Sequence, residues 1–224
     1  MTFVKNHKPA LDTDSTNYKL ICPKVFKINN KCYRMYFSTD QKNKNKKKKD
    51  YTFIKSAISN DCKRWFVEKG VRVALLKEKK FIRALSPSIV EIEKGLYRMY
   101  FEARTLDQKS VIKSALSNDG LKWKEETGNR LGALGSISYG TPFCIYKKNS
   151  YYQLFFERRL KKKRDIWVTE SIDGINFNEK KITQVIKQDK KLESYALYSP
   201  DVIHLKNSYH MYYSGWGGNP VRGY

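Results

Sequence analysis

One pattern recurs four times along this chain and constrains its fold more than any other feature. A proline opens an apolar stretch, and nine or ten residues later an aromatic-rich segment begins with tyrosine. The copies are Pro23 with Tyr33–Phe37 (YRMYF), Pro87 with Tyr97–Phe101 (YRMYF), Pro142 with Tyr152–Phe156 (YQLFF) and Pro200 with Tyr209–Tyr213 (YHMYY). Three copies close with an acidic turn four residues before an aromatic: Asp61 and Trp65, Asp119 and Trp123, Asp173 and Phe177. Repetition at this period means one supersecondary unit used again, each copy covering the faces of its neighbours.

The second copy is the cleanest. Ser86–Ile92 is an apolar strand, and Glu93–Gly95 a turn in which Gly95 supplies the backbone freedom a tight reversal needs. Leu96–Glu102 and Val111–Ser117 are the second and third strands, Asn118–Gly120 a two-residue-type hairpin turn, and Leu121–Trp123 the opening of a fourth strand. Four antiparallel strands in a meander are the unit of a propeller. The expectation is an all-β chain: a β-propeller of four-stranded antiparallel blades, about four of them, the last incomplete. The blades fall near 20–70, 84–128, 139–183 and 197–224 of a single domain 1–224, with 1–19 as an N-terminal segment. The fourth copy ends before its acidic turn. Either the chain is a fragment, or the N-terminal segment, with Tyr18–Ile21 as its strand, completes the last blade.

Sixteen tyrosines suit this reading, because flat rings pack well on pleated surfaces. The 45 basic residues against 22 acidic ones leave a net charge of +23, which favours an anionic partner or serves solubility alone. Two basic runs, Lys42–Lys49 and Arg158–Arg164, fall between second and third strands, on the face where the inner strands begin. There they would ring the funnel mouth and attract an acidic glycan, a sugar phosphate or inorganic phosphate; the alternative is a solvated lysine-rich surface. Nucleic acid is disfavoured as a partner, since the chain carries no recognised motif for it. Cys22, Cys32, Cys62 and Cys144 form no Cys-x-x-Cys pair, so neither a zinc site nor any other metal or cofactor is expected. Cys22 and Cys32 could face each other across a hairpin, but scattered reduced thiols are the simpler reading. No stretch approaches the ~20 apolar residues of a membrane helix, and no signal-peptide run opens the chain, so no membrane partner and a cytoplasmic location are expected.

The motif at Pro200–Ser214 (PDV followed by YHMYYS) and that at Ser86–Phe101 (SPSIV followed by YRMYF) resemble the five-bladed β-propeller glycosidases: arabinanases, β-xylosidases, invertases, levansucrases and mannoside phosphorylases. The likeness runs from about Cys22 to Trp216. The Ser117–Trp123 segment also resembles the Asp box of sialidase-type propellers, where the aspartate builds a turn. The glycosidase resemblance implies carboxylates around a central funnel, one to protonate the leaving oxygen and one to attack or activate water. Asp201, directly after Pro200, matches the aspartate that tunes the acid. The family's base precedes a proline on the first blade, but Cys22, Ser86, Thr141 and Ser199 occupy the pre-proline places here, and none is acidic. Its Glu-Gly-Pro acid motif is replaced by Tyr139–Pro142 (YGTP).

Glu102 and Glu157 end their second strands at equivalent places, each with an arginine two residues on, Arg104 and Arg159. Period two puts each pair on one face of its strand. Two readings remain: Glu–Arg ion pairs that fix loops, or acid/base and anion-holding groups at the funnel mouth. The candidate catalytic set is thus Asp201, Glu102 and Glu157, and the candidate substrate-binding set is Arg104, Arg159, His204 and Trp216. The expected function is a glycosidase-like protein, hydrolase or phosphorylase, that acts on or binds a carbohydrate or sugar phosphate. The alternative is a non-catalytic binding module that keeps the funnel without the full carboxylate set.

Overall fold

The computed structural model describes residues 10–11, 20–41, 51–75, 81–147, 151–161, 163–189, 191–206 and 208–217. Every regular element among them is a strand. Blade 1 is the antiparallel sheet β1 (Leu20–Asn29), β2 (Cys32–Gln41), β3 (Tyr51–Ser59) and β4 (Phe66–Val67). Blade 2 is β5 (Phe81–Glu93), β6 (Leu96–Thr105), β7 (Ser110–Ser117) and β8 (Lys124–Glu125). Blade 3 is β9 (Ile137–Lys147), β10 (Tyr151–Leu160), β11 (Lys163–Ser171) and β12 (Thr183–Ile186). The fourth copy is the hairpin β13 (Ala196–Leu205) and β14 (Ser208–Trp216). The structure is therefore an all-β partial propeller.

Each of the four repeat prolines, Pro23, Pro87, Pro142 and Pro200, marks a β-bulge. The residue before it has a left-handed backbone in all four copies: φ is +53° at Cys22, +51° at Ser86, +43° at Thr141 and +52° at Ser199. Every inner-strand register shifts at that point. After the bulge the registers agree: Lys24 pairs with Tyr36, Ser88 with Tyr100, Phe143 with Phe155 and Asp201 with Tyr212. The four copies are thus equivalent in space as well as in sequence.

Apolar faces between blades form the core. Tyr36 and Ile54 of blade 1 pack with Phe81, Met99 and Phe101 of blade 2. Tyr100, Ile112 and Leu131 of blade 2 pack with Tyr139, Leu154 and Phe156 of blade 3. The acidic turns lock these faces. The Asp119 carboxylate accepts the N–H groups of Leu121 and Lys122, both at 2.7 Å, and Ser117 Oγ accepts that of Gly120 at 2.9 Å. Asp173 builds the same turn, and Asp61 a close relative of it.

From the preceding blade, Arg34 Nη1 donates to Asp119 O at 3.0 Å, Tyr36 Oη to Gly120 O at 2.9 Å and Arg72 Nη1 to Leu121 O at 2.7 Å. Blade 2 repeats the first two on blade 3, Arg98 to Asp173 O at 2.8 Å and Tyr100 to Gly174 O at 2.8 Å. Glu68 and Glu126 brace Arg34 and Arg98 with paired hydrogen bonds. Gly120 and Gly174 are obligatory: a Cβ at either would lie 2.4 Å from an arginine nitrogen and 2.7 Å from a tyrosine oxygen.

Several expectations are corrected. The fourth strand of blade 2 opens at Lys124, because the Asp119 turn takes the chain through to Trp123 as a wide loop rather than a two-residue hairpin. Leu20 and Ile21 belong to blade 1, where they pair with Thr39 and Ser38, so they do not close the last blade; Tyr18 and Lys19 lie outside the described residues. Cys22 and Cys32 do not face each other, since Cys32 pairs with Asn29, and both are free thiols. Of the run Arg158–Arg164, Arg158–Leu160 end β10 and Lys163 and Arg164 open β11, so these are paired strand ends rather than a loop; Lys162 and Lys42–Lys49 lie outside the described residues.

Candidate functional site

The four bulges converge. One cavity of about 420 Å³ is lined by Cys22, Ser86, Thr141 and Ser199, with Tyr198 and Ser214 on the blade 4 side. A second, of about 500 Å³, lies further along the axis between Lys24, Ser88, Phe143 and Asp201, the four residues that follow the prolines. Equivalent positions of successive copies therefore face a shared axis, as radial blades require.

Neighbouring copies hold the bulges. The N–H of Ser86 donates to Ser38 Oγ at 3.0 Å, that of Thr141 to Glu102 Oε2 at 3.0 Å, and that of Ser199 to Thr141 Oγ1 at 3.1 Å. A left-handed backbone at a non-glycine residue costs roughly 1–3 kcal/mol, and persists only where surroundings over-determine it. Here four such residues put one thiol and three hydroxyls on the wall of a single cavity.

Across the axis, Lys24 Nζ donates to Asp201 Oδ2, joining blade 1 to blade 4. Lys24 also lies 4.9 Å from the centre of the Phe143 ring. The Asp201 side chain is 43% exposed, so the bridge adds little stability, about 0–1 kcal/mol, and its groups stay open to a ligand. Among the described residues lining the two axial cavities, Asp201 is the one carboxylate.

Glu102 and Glu157 sit elsewhere, walled in between blades 2 and 3. Arg159 bridges them, reaching Glu102 at 2.9 and 3.1 Å and Glu157 at 2.7 Å. Arg104 adds two bonds to Glu102, at 2.8 and 2.6 Å. Burial alone would raise the Glu102 pKa, but the Arg159 and Arg104 charges outweigh it and hold the carboxyl down at about 2. Burial likewise opposes the charge on Arg159, and Glu102 and Glu157 overcome it, raising its pKa. A carboxyl so held has no proton to give at neutral pH. Instead it accepts the Thr141 N–H and so fixes one bulge. Gly140 is required beside it, since a Cβ there would meet Arg159 at 2.3 Å and Glu102 at 2.5 Å.

Of the remaining candidates, Trp216 packs on Tyr195 at the mouth end of blade 4, at 4.6 Å between ring centres. His204 is exposed and stacks on Tyr209, beyond the second cavity on β13. Neither lines an axial cavity. Among the described residues no group of three or more His, Cys, Asp or Glu could hold a metal ion. Burial pushes the Cys22 thiol up, with the Ser86 hydroxyl opposing, so the neutral thiol prevails. The wall residues Lys24, Phe143 and Ser214 were not singled out from sequence; the signal was present, because Lys24 and Phe143 occupy the same post-proline place as Asp201.

No family profile and no curated protein matches the chain in sequence. Solved structures do match in shape. A β-1,2-mannobiose phosphorylase from Listeria innocua superposes with a TM-score of 0.67 at 12% identity, over 92% of this chain and 71% of its own. A thermostable family-43 glycoside hydrolase does so at 0.70 and 16%, over 89% and 65%, and an α-L-arabinanase from Cellvibrio cellulosa, solved with arabinohexaose, at 0.63 and 16%, over 87% and 68%. The chain thus spans about two thirds of the length of these structures. At such identities the likeness speaks for the fold, and the chain has the β-propeller fold of these glycosidases and phosphorylases.

Proposed function

We propose that the chain binds a carbohydrate in the axial funnel, in the manner of a glycosidase-like propeller that lacks a full carboxylate set. The observation that carries this reading is the convergence of four strained pre-proline residues on one cavity, Cys22, Ser86, Thr141 and Ser199. Three hydroxyls there can donate to and accept from sugar hydroxyls, while Tyr198 offers a ring to a sugar face. Lys24 and Asp201 add a charged pair below, which suits a ligand with an anionic group near the floor. Glycoside hydrolysis by two side chains needs two carboxyls on opposite sides of the bond. Glu102 and Glu157 are committed to Arg159, which leaves Asp201 as the one carboxylate on the axis among the described residues.

That lone carboxylate favours a second reading, phosphorolysis. One carboxylate suffices when inorganic phosphate, rather than enzyme-activated water, attacks the anomeric carbon: the C–O glycosidic bond breaks, a C–O bond to phosphate forms, and the proton of the attacking hydrogen phosphate, relayed by Asp201, goes to the leaving oxygen. Incubation with manno-, arabino- and xylo-oligosaccharides, with and without phosphate, separates the readings. Binding by ligand-observed NMR without cleavage is the expected result. Phosphate-dependent release of a sugar phosphate, lost in Asp201→Asn, would replace it with the second reading. Absence of both binding and cleavage across the panel would count against a carbohydrate function.

A further inference from the structure

The row of residue pairs at the funnel mouth differs on one blade. On blade 3 the second-strand arginine, Arg159, stands opposite Ser138, and on blade 4 Trp216 stands opposite Ala196. In both, a large side chain faces a small one. On blade 2 the same row sets Arg104 opposite Arg83, three residues ahead of Ser86 on the inner strand. Like charges directly opposite on a sheet repel.

The surrounding carboxylates leave this conflict in place. Glu102 Oε1 already accepts Arg104 Nε and Nη2 and Arg159 Nη1, while its Oε2 accepts Arg159 Nη2 and the Thr141 N–H. Glu157 is paired with Arg159 and Arg164. On the other side of Arg83, Thr52 bridges to it, and the Asp40 carboxylate accepts the Thr52 hydroxyl at 2.5 Å. Among the described residues Arg83 makes no hydrogen bond and no ion pair, and its Nε is buried without a partner. A buried guanidinium N–H left unmade is costly, and a second guanidinium beside it adds to that cost. One oxyanion, accepting from both forks, meets both deficits.

This part of the rim adjoins the upper axial cavity. The Arg104 side chain is 22% exposed, and its charge, with those of Glu102 and Lys24, acts on the Cys22 thiol in the cavity wall. Ser86, about 10 Å of strand from Arg83, lines the same cavity. We infer that Arg83 and Arg104 form an oxyanion site on the funnel rim, which takes the carboxylate or phosphate of an acidic glycan while an adjacent sugar enters the cavity, the glycan part resting on the carbohydrate function proposed above.

The test has two readouts, both on the full chain. In thermal melts at fixed ionic strength, inorganic phosphate in place of chloride should raise the midpoint by about 3–5 °C at about ten times its dissociation constant. The rise should vanish in R83Q, which without phosphate should melt at or above the parent's temperature, because the like-charge pair is relieved. Calorimetric titration then compares trigalacturonate with its methyl ester, for a carboxylate, and cellobiose 6-phosphate with cellobiose, for a phosphate. At least one acidic sugar should bind about tenfold more tightly than its neutral counterpart, and R83Q should abolish that preference. No phosphate response, a response that survives in R83Q, or one lost in Lys24→Met instead, overturns the rim site. Acidic and neutral sugars that bind alike overturn the acidic glycan while the carbohydrate function stands. An Arg83-dependent phosphate response with no sugar bound supports the rim site and counts against the carbohydrate function.

Discussion

Glu102 is the residue on which the funnel wall most depends. Its folded pKa, about 2 against an ordinary 4.5, makes it a source of stability that is complete above pH 4.5 and lost as pH falls toward 2. That shift corresponds to roughly 3 kcal/mol. Glu102→Gln leaves Arg104 without its carboxylate and Arg159 with Glu157 alone, and is expected to cost about 3 kcal/mol at pH 7. Urea unfolding of both proteins from pH 7 to pH 2 checks this: the gap between them should narrow by about 3 kcal/mol below pH 4.5. A gap that does not change with pH would show that Glu102 is not held ionised. Two glycines provide a second residue-scale contrast. Gly120→Ala, blocked by Arg34 and Tyr36, should cost about 2–3 kcal/mol, whereas Gly95→Ala, with φ of +78° and nothing within 4 Å, should cost only about 1 kcal/mol. Equal losses in thermal melts would mean that the joint tolerates a methyl group. The sequence displayed the Glu–Arg spacing on β6 and β10 but not that one arginine, Arg159, bridges both glutamates, since that depends on how adjacent blades approach.

The recurring element is the aromatic second strand, and the structure shows why its letters repeat. In YRMYF the arginine and second tyrosine cap the next blade's turn, while Met99 and Phe101 enter the core between blades 1 and 2. Tyr100→Phe removes one donor and leaves the buried Gly174 carbonyl unpaired, an expected cost of about 1–2 kcal/mol. Tyr212→Phe in the same chemistry, 61% exposed and without a hydrogen bond among the described residues, should cost nothing measurable. Chemical denaturation of the two variants side by side makes the comparison, and a Tyr100→Phe protein as stable as the parent would remove the cap from the account. Strand order and blade boundaries were legible because proline, tyrosine and the acidic turn recur in phase. The length of the Asp119 loop was not, because its side-chain hydrogen bonds, rather than the Asp-Gly pair, set where β8 begins.

At the scale of the whole molecule, the claim is that four bulges share one axis and that the space they enclose takes a sugar. The radial arrangement was readable from the repeat; the composition of the axis was not. Counting residues before each proline shows that acids are missing there, but only the fold reveals that Lys24 crosses to Asp201 and that the two glutamates are buried between blades 2 and 3 and paired with Arg159. Calorimetric titration of the chain with arabinohexaose, xylotriose and β-1,2-mannobiose, beside a Ser214→Trp variant that fills the upper cavity from the blade 4 side, tests the claim most directly. The account predicts saturable binding of at least one sugar by the native chain and its loss in a Ser214→Trp protein that melts at the parent's temperature. Binding of equal strength by both proteins would place the sugar outside the funnel and contradict it.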